Sequence, residues 1–293
     1  MAGNEELLKS TGLAGTKLAD SYEFLDVLGE GGHSEVFKAY HPRLDRLVAV
    51  KLLRSHRLHE TAIARFEREA RAMSRIHHYN VVTVYDFGVT ERHRPYMVLE
   101  YLEGETLGDK IDREGPLPLD VAATILVQAC NGLQEAHNHG IIHRDLKPEN
   151  IVLQNKSDRA DWVKVVDFGV AYLAGGDQER LTTPGQVAGT PWFFAPERFT
   201  GLPGDERSDI YSLGLVLFEM LTARSLYKAD TMESLVVEVL LRPRPTLSSF
   251  RDDIKPGSAF DNIFFKATAL SAERRYQSAA ELRDDLVEAQ RQM

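Results

Sequence analysis

Between Tyr22 and Lys51 the apolar residues fall in short groups separated by glycine and charge: Phe24, Val27 and Leu28, then Val36, Phe37 and Ala39, then Leu47 to Val50. Short runs bounded by turn residues predict strands, with a glycine-rich turn between the first two. The period then changes. Ile63, Phe66, Ala70, Met73 and Ile76 recur three or four residues apart, which predicts a helix over Ala62 to Arg75 with one apolar stripe. Strands are predicted again at Val81 to Tyr85 and at Tyr96 to Tyr101. Beyond Gly104 the pattern is that of long helices. One starts near Asp120, read as an N-cap after the loop of Pro116 and Pro118, and runs to a stop at Gly140. Another, Asp209 to Leu221, carries Ile210, Leu213, Leu215, Val216, Leu217, Phe218 and Met220 on nearly all sides, so burial is expected. The segmentation predicts an α+β chain: a polar, loosely held leader over residues 1–20, a strand-rich lobe over 21–102 and a helical lobe over 103–293. No internal repeat and no low-complexity linker interrupts it.

Composition narrows the classes. With 293 residues, 43% hydrophobic and 27% charged, the chain has the make-up of a globular protein and not of a disordered or fibrous one. Lys+Arg 35 against Asp+Glu 44 gives a net charge of −9, so no overall cationic field gathers nucleic acid or anionic lipid. The single cysteine, Cys130, cannot form an intrachain disulfide; it suits a reducing compartment and is expected to fill core space. The stretch MAGNEELLKS lacks an apolar core, and no run of about 18 apolar residues occurs, so neither an export signal nor a membrane segment is expected, and the predicted location is cytoplasmic. His77, His78, His137 and His139 lack metal-site spacing and read as loop or core residues.

Three groups of residues carry chemistry. In Leu28-Gly29-Glu30-Gly31-Gly32-His33-Ser34-Glu35-Val36 a glycine-rich turn frees backbone amides to approach phosphate. A dinucleotide-binding turn would lead into a helix, whereas Val36 to Tyr40 continues as a strand, which favours a hairpin lid over phosphates. On this motif alone an ordinary hairpin fits equally well. Next, Lys51 ends the run Val48-Ala49-Val50, and Glu69 lies on the helix three residues after Phe66 and four before Met73. A carboxylate beside a buried stripe wants a cation, and Lys51 is the candidate; a solvated position at the edge of the stripe is the alternative. Last comes His143-Arg144-Asp145-Leu146-Lys147-Pro148-Glu149-Asn150, followed after a short strand by Asp167-Phe168-Gly169. Asn150 and Asp167 offer the hard oxygens that Mg²⁺ prefers when it bridges substrate phosphates. Asp145 is placed to align a hydroxyl and take its proton late, and Lys147 adds positive charge where a transferring phosphoryl group spreads its own.

In this order the motifs resemble those of the eukaryotic-type serine/threonine protein kinases, in particular the kinase domains of bacteria, over roughly Tyr22 to Leu286. The resemblance implies a bilobal kinase fold, with one main helix in the strand-rich lobe and a mostly helical second lobe. It implies ATP as phosphoryl donor and Mg²⁺, or Mn²⁺ in its place, as the ion. By the same resemblance the loop from Gly29 to Val36 covers the ATP phosphates, and Lys51, fixed by Glu69, contacts the α and β phosphates. Val36, Ala49 and Val152 would sandwich adenine, Glu100 and Leu102 would hydrogen-bond it through backbone groups, Leu99 would be the gatekeeper, and Glu103 would lie near the ribose. Asp145 would be the catalytic aspartate and Asn150 and Asp167 the metal ligands. Phe168, His143, Met73 and Val84 match the stacked hydrophobic residues of the assembled state. Gly189-Thr190-Pro191-Trp192 and Ala195-Pro196-Glu197 resemble the substrate-docking segment, with Lys147 and Thr190 the residues of the serine/threonine class. Arg275 matches the partner of Glu197, and Asp209 the aspartate that caps the catalytic loop. Ser34 departs from the third glycine of the lid; being small, it leaves room for phosphate.

Regulation follows from the same resemblance. Thr182 and Thr183 are candidate autophosphorylation sites that would order Leu173 to Val187 through charge-assisted hydrogen bonds to Arg144. Val170 after the Asp167-Phe168-Gly169 triplet implies a preference for threonine over serine acceptors. The expected partners are protein substrates with Ser or Thr hydroxyls, the chain itself, and a transient dimer by analogy; basic substrates are weakly favoured by the net charge, and no nucleic acid is expected. A pseudokinase would lack one of Lys51, Asp145, Asn150 or Asp167, and all four are present. A small-molecule kinase is disfavoured by the Gly189 to Glu197 segment. The reading leaves open that the chain is one segment of a longer, membrane-anchored receptor.

Overall fold

In a computed structural model that describes residues 17–31, 34–54, 60–90, 93–156, 159–168 and 191–293, five antiparallel strands build the first sheet. They are β1 (Glu23–Glu30), β2 (Ser34–His41), β3 (Arg46–Leu53), β4 (Val84–Val89) and β5 (Pro95–Glu100), in spatial order β1-β2-β3-β5-β4. Alternate residues on a strand share a face, and here the middle of one face is apolar. Phe37 and Ala39 of β2, Val48, Val50 and Leu52 of β3, and Val98 of β5 form its core with Phe24 of β1. Leu18 of helix α1 (Lys17–Ser21) and Tyr22 close the same cluster. Of the leader predicted over residues 1–20, Leu18 is thus buried in this core, although the polar residues beside it give no periodicity to signal the contact. Helix α2 (Glu60–Met73) packs its buried Phe66, Ala70 and Met73 toward β4 and β5.

A second compact unit takes residues 78–81, 104–168 and 191–293, while the described residues up to 77 and in 82–103 belong to the first. Val81 goes with the second unit, where it makes a parallel bridge to Val165. For that reason β4 begins at Val84 and not at the predicted Val81. A small sheet joins β6 (Glu105–Thr106), β7 (Ile151–Lys156) and β8 (Arg159–Val165) in that order. The helices are α3 (Leu107–Glu114), α4 (Leu119–Asn138), α5 (Pro196–Phe199), α6 (Glu206–Thr222), α7 (Met232–Leu241), α8 (Ala259–Ala267) and α9 (Ala279–Arg291). Asp120 is not the N-cap of α4. The Pro118 carbonyl accepts the Ala122 N–H at 3.0 Å, so the helix starts at Leu119 and Asp120 sits in its first turn, where its charge suits the helix dipole.

Helix α6 is the axis of this unit, buried from Ser208 to Phe218 and packed against α4, α8 and α9. Asp205 and Ser208 form a capping box at its start, and Gly214 lets α8 approach: a Cβ there would lie 2.6 Å from Thr268 Cγ2. Cys130 is fully buried, as expected for a core filler, and burial pushes its thiol up. Among the described residues no helix is long and apolar enough to cross a membrane.

Two stability measurements test this packing. Leu18→Ala is expected to cost about 2–5 kcal/mol by chemical denaturation, because it empties a core position; a loss below about 0.5 kcal/mol would return Leu18 to the surface. On α6, burial and then the charges of Glu149 and Asp112 push the Glu219 carboxyl up from 4.5 to about 7. The folded state thus keeps a proton that the unfolded chain releases. Stability carries no penalty below about pH 4.5, declines as pH rises, and bears the full penalty above about pH 7. Discounted for partial solvent screening, that penalty is about 1–2 kcal/mol. Glu219→Gln is expected to raise the thermal midpoint at pH 8 and to do less at pH 5.5; equal shifts at both would contradict the assignment.

Candidate active site

In the first unit, strand register gathers the residues singled out by motif. The β1–β2 hairpin closes with the Gly31 N–H donating to the Ser34 carbonyl at 2.8 Å. Across the sheet Gly29 pairs with Val36, Val36 with Lys51, and Lys51 with Met97, so these residues lie in one row. Directly paired residues of antiparallel strands share a face. The parallel row two residues along sets Lys38 beside Ala49 and Ala49 beside Leu99. Val36, Lys51, Ala49 and Leu99 therefore occupy one face of the sheet, opposite the apolar core. Lys51 is only 5% exposed.

Other expected nucleotide-side residues are placed as follows. Glu69 is half-buried on α2 beside Phe66, Ala70 and Met73. Leu28, Gly29, Glu30 and Gly31 are exposed along β1 and its turn, while Ser34, Glu35 and Val36 are half-buried. Glu35 accepts from Arg94 Nη2 at 2.5 Å, and Arg54 lies 3.6 Å from Glu35 and 3.3 Å from Glu30, which braces the base of the hairpin. Glu100 is held by Thr83: its N–H donates to the Thr83 carbonyl at 3.0 Å and its carboxylate accepts the Thr83 N–H at 2.7 Å. Leu102 is half-buried and Glu103 exposed in the segment that follows β5.

In the second unit the chemistry collects at one end of the β7–β8 hairpin. Ile151 pairs with Val165, and the Asn150 carbonyl accepts the Val166 N–H at 3.0 Å, so Asn150 and Asp167 flank the same end of two paired strands. Val152 sits one step inside, opposite Lys164 and Thr106. Asn150 is buried and its amide nitrogen donates to the Asp145 carbonyl at 2.6 Å, which leaves its oxygen as the atom of that side chain suited to ligation. Lys147 Nζ lies 3.8 Å from Asp145 Oδ2. His143, fully buried, accepts the Asp145 N–H on Nδ1 at 3.3 Å and donates from Nε2 to the Val166 carbonyl at 2.8 Å, and its ring lies against Phe168.

The loop is anchored from α6. Asp209, 1% exposed, accepts the His143 N–H at 2.8 Å, the Arg144 N–H at 2.9 Å and His137 Nε2 at 2.8 Å. Burial alone would raise its carboxyl, but His137, His143 and the backbone donors outweigh it and hold the group below the usual carboxylate range. Both Arg144 (φ 65°) and Asp167 (φ 62°) adopt the left-handed region, an unfavourable state for side chains with a Cβ. Glu197 receives a bidentate pair from Arg275, at 2.8 and 2.7 Å, and the Ser208 hydroxyl at 2.6 Å. Burial again works against the charge of Glu197, and these donors keep it below the ordinary value. Sequence reasoning missed Arg198, which is buried, stacks on Phe194 and donates to the Arg144 carbonyl. No local spacing signals a contact across 54 residues. His137, read from its spacing as a loop or core residue, has a buried side chain and is in addition a partner of Asp209.

Gly32, His33, Gly169, Val170, Thr182, Thr183, Gly189 and Thr190 lie outside the described residues. The remaining motif residues stand on a frame that known proteins share. The family model described as "Protein kinase domain" matches residues 22–268. The chain is 40% identical over 274 residues to serine/threonine-protein kinase PknB of Mycobacterium leprae, covering 92% of this chain and 43% of that protein. It is 35% identical over 275 residues to serine/threonine-protein kinase pkn3 of Myxococcus xanthus, covering 93% and 50% respectively. It thus spans half or less of the length of these relatives. The PknI kinase domain of Mycobacterium tuberculosis superposes with a TM-score of 0.72 at 25% identity, over 92% of this chain and 96% of that one. Fold, motif order and sequence agree: the chain belongs to the protein kinase domain family.

Proposed function

We propose that this chain is a serine/threonine protein kinase that transfers the γ-phosphoryl group of ATP to protein hydroxyls, with 21–102 as its N-lobe and 103–293 as its C-lobe. The observation that most supports this reading is the binding of Asn150 to the Asp145 carbonyl at 2.6 Å beside Lys147, at the hairpin end that also carries Asp167. An acceptor, a cation and two hard-oxygen donors within one short loop and its flanking strand suit phosphoryl transfer.

In this reading Asp145 accepts the proton of the substrate hydroxyl as the oxygen–phosphorus bond forms and the bond to the departing ADP oxygen breaks. Lys147 offsets the charge spread over the transferring group. Lys51, supported by Glu69, meets the α and β phosphates, under the hairpin from Gly29 to Val36. Val36, Ala49 and Val152 contact adenine, Glu100 and Leu102 bind it through the backbone, and Glu103 lies by the ribose. Asn150 and Asp167 would hold Mg²⁺ or Mn²⁺; the Asn150 side-chain oxygen, left over by the hydrogen bond its nitrogen donates to the Asp145 carbonyl, and the Asp167 carboxylate are the donor types such ions take. When bound, the ion neutralises phosphate charge. Glu197, fixed by Arg275 and Ser208, belongs to the segment that would dock protein substrates, together with Thr190. We further infer a cytoplasmic site of action, autophosphorylation at Thr182 or Thr183 during transient pairing of two copies, and a preference for threonine acceptors.

Labelled-phosphate transfer from ATP to protein tests the reading. Asp145→Asn is expected to lower kcat about 100- to 10,000-fold while the fold survives. Equal incorporation by wild type and variant would defeat the role of Asp145. Mass spectrometry of active protein is expected to find phosphate on Thr182 or Thr183, and finding both unmodified would remove the autophosphorylation step.

A further inference from the structure

We propose that Arg198 is a positioning residue for phosphoryl transfer, acting through the peptide that joins Arg144 to Asp145. The inference rests on the role assigned above to Asp145. Arg144 holds φ 65°, a conformation unfavourable for a residue with a Cβ that persists only where surrounding bonds over-determine it. On its N-terminal side the Arg144 N–H is fixed by Asp209 Oδ1 at 2.9 Å. On its C-terminal side the Arg144 carbonyl accepts Nη1 of Arg198. The same peptide unit carries the Asp145 N–H, whose bond to His143 Nδ1 is long at 3.3 Å. The Arg198 guanidinium thus brings a positive charge to the carbonyl of this peptide, on the side away from the Asp209 carboxylate.

Arg198 is built for that position. It is 7% exposed, and its guanidinium lies 3.6 Å over the Phe194 ring, so planarity and charge are both used. It stands on α5, where the neighbouring Glu197 is already clamped by Arg275 and Ser208. The helix thus has its own anchor, and Arg198 can serve the catalytic loop. Loss of its donor would let the peptide rotate and shift the carboxylate one residue on. Displacements of about 1 Å cost about 100-fold in oriented reactions.

The test measures single-turnover transfer from ATP to casein, normalised to sites titrated with a fluorescent non-hydrolysable ATP analogue, so that unfolded protein is not counted. Arg198→Met is expected to slow transfer per site about 10- to 100-fold with the KM for ATP changed less than about twofold, and Arg198→Lys is expected to recover part of the rate. In an Asp145→Asn background, Arg198→Met is expected to cause no further loss, because it acts through Asp145. Unchanged transfer per site in Arg198→Met, or losses that multiply in the double variant, would overturn the inference. A wild-type protein that transfers nothing would instead defeat the kinase reading on which it rests.

Discussion

Three buried polar side chains in the first turns of α6 organise the second unit. Ser208, Asp209 and Ser212 lie within five consecutive positions of α6, all buried. Ser208 donates to Glu197, Asp209 accepts from His143, Arg144 and His137, and Ser212 donates to the Phe193 carbonyl at 2.7 Å. The helix is buried from Ser208 to Phe218, so these bonds hold the loop from His143 to Asn150 and the segment around Phe193 to Glu197 against one packed body. The weight of Asp209 follows from its burial. A carboxylate out of water is stable only if donors replace the lost solvent, and here three N–H groups do so. Its contribution is present above the unfolded pKa, near 4, and is lost as pH falls through its lower folded value.

The first unit solves a different problem with one central strand. β3 is buried on both faces and must serve two environments. Val48, Val50 and Leu52 face the core with Leu18, Tyr22 and Phe24, whereas Ala49 and Lys51 face the other way beside Val36 and Leu99. A register slip of one residue would send Lys51 into the apolar core, where an unpaired ammonium is highly unfavourable. The register that builds the core is thereby the register that presents the lysine.

Much of this was legible in the sequence for identifiable reasons. α6 announced itself because a continuously apolar run has one outcome, burial, and α2 because its stripe repeats at helical spacing. The motif residues of the second unit read well because His143 to Asn150 is a contiguous stretch whose groups bond to one another and to a hairpin end. What was not legible depends on distant pairing. β4 begins three residues late because Val81 bridges to Val165 within the second unit, and no window around Val81 contains that information. α4 begins at Leu119 because Pro118 supplies a carbonyl to Ala122, although proline is a poor side-chain cap. Leu18 is buried by a tertiary contact within a stretch whose composition reads as leader.

Glu197 and Arg198 show why adjacent residues can escape or invite recognition. Consecutive positions on a helix point about 100° apart, so a one-turn helix can send an acid and a base to different elements. Glu197 meets Arg275 in a bidentate, charge-matched pair and accepts the Ser208 hydroxyl; across 78 residues the pair was expected only from the resemblance to kinases. Arg198 meets a backbone carbonyl and the face of Phe194. Every residue has a carbonyl, so its partner leaves no signature at all. Since the two anchors point in different directions, α5 is held both to Arg275 and Ser208 and to the loop from His143 to Asn150, the latter by a bond that leaves no trace in the sequence.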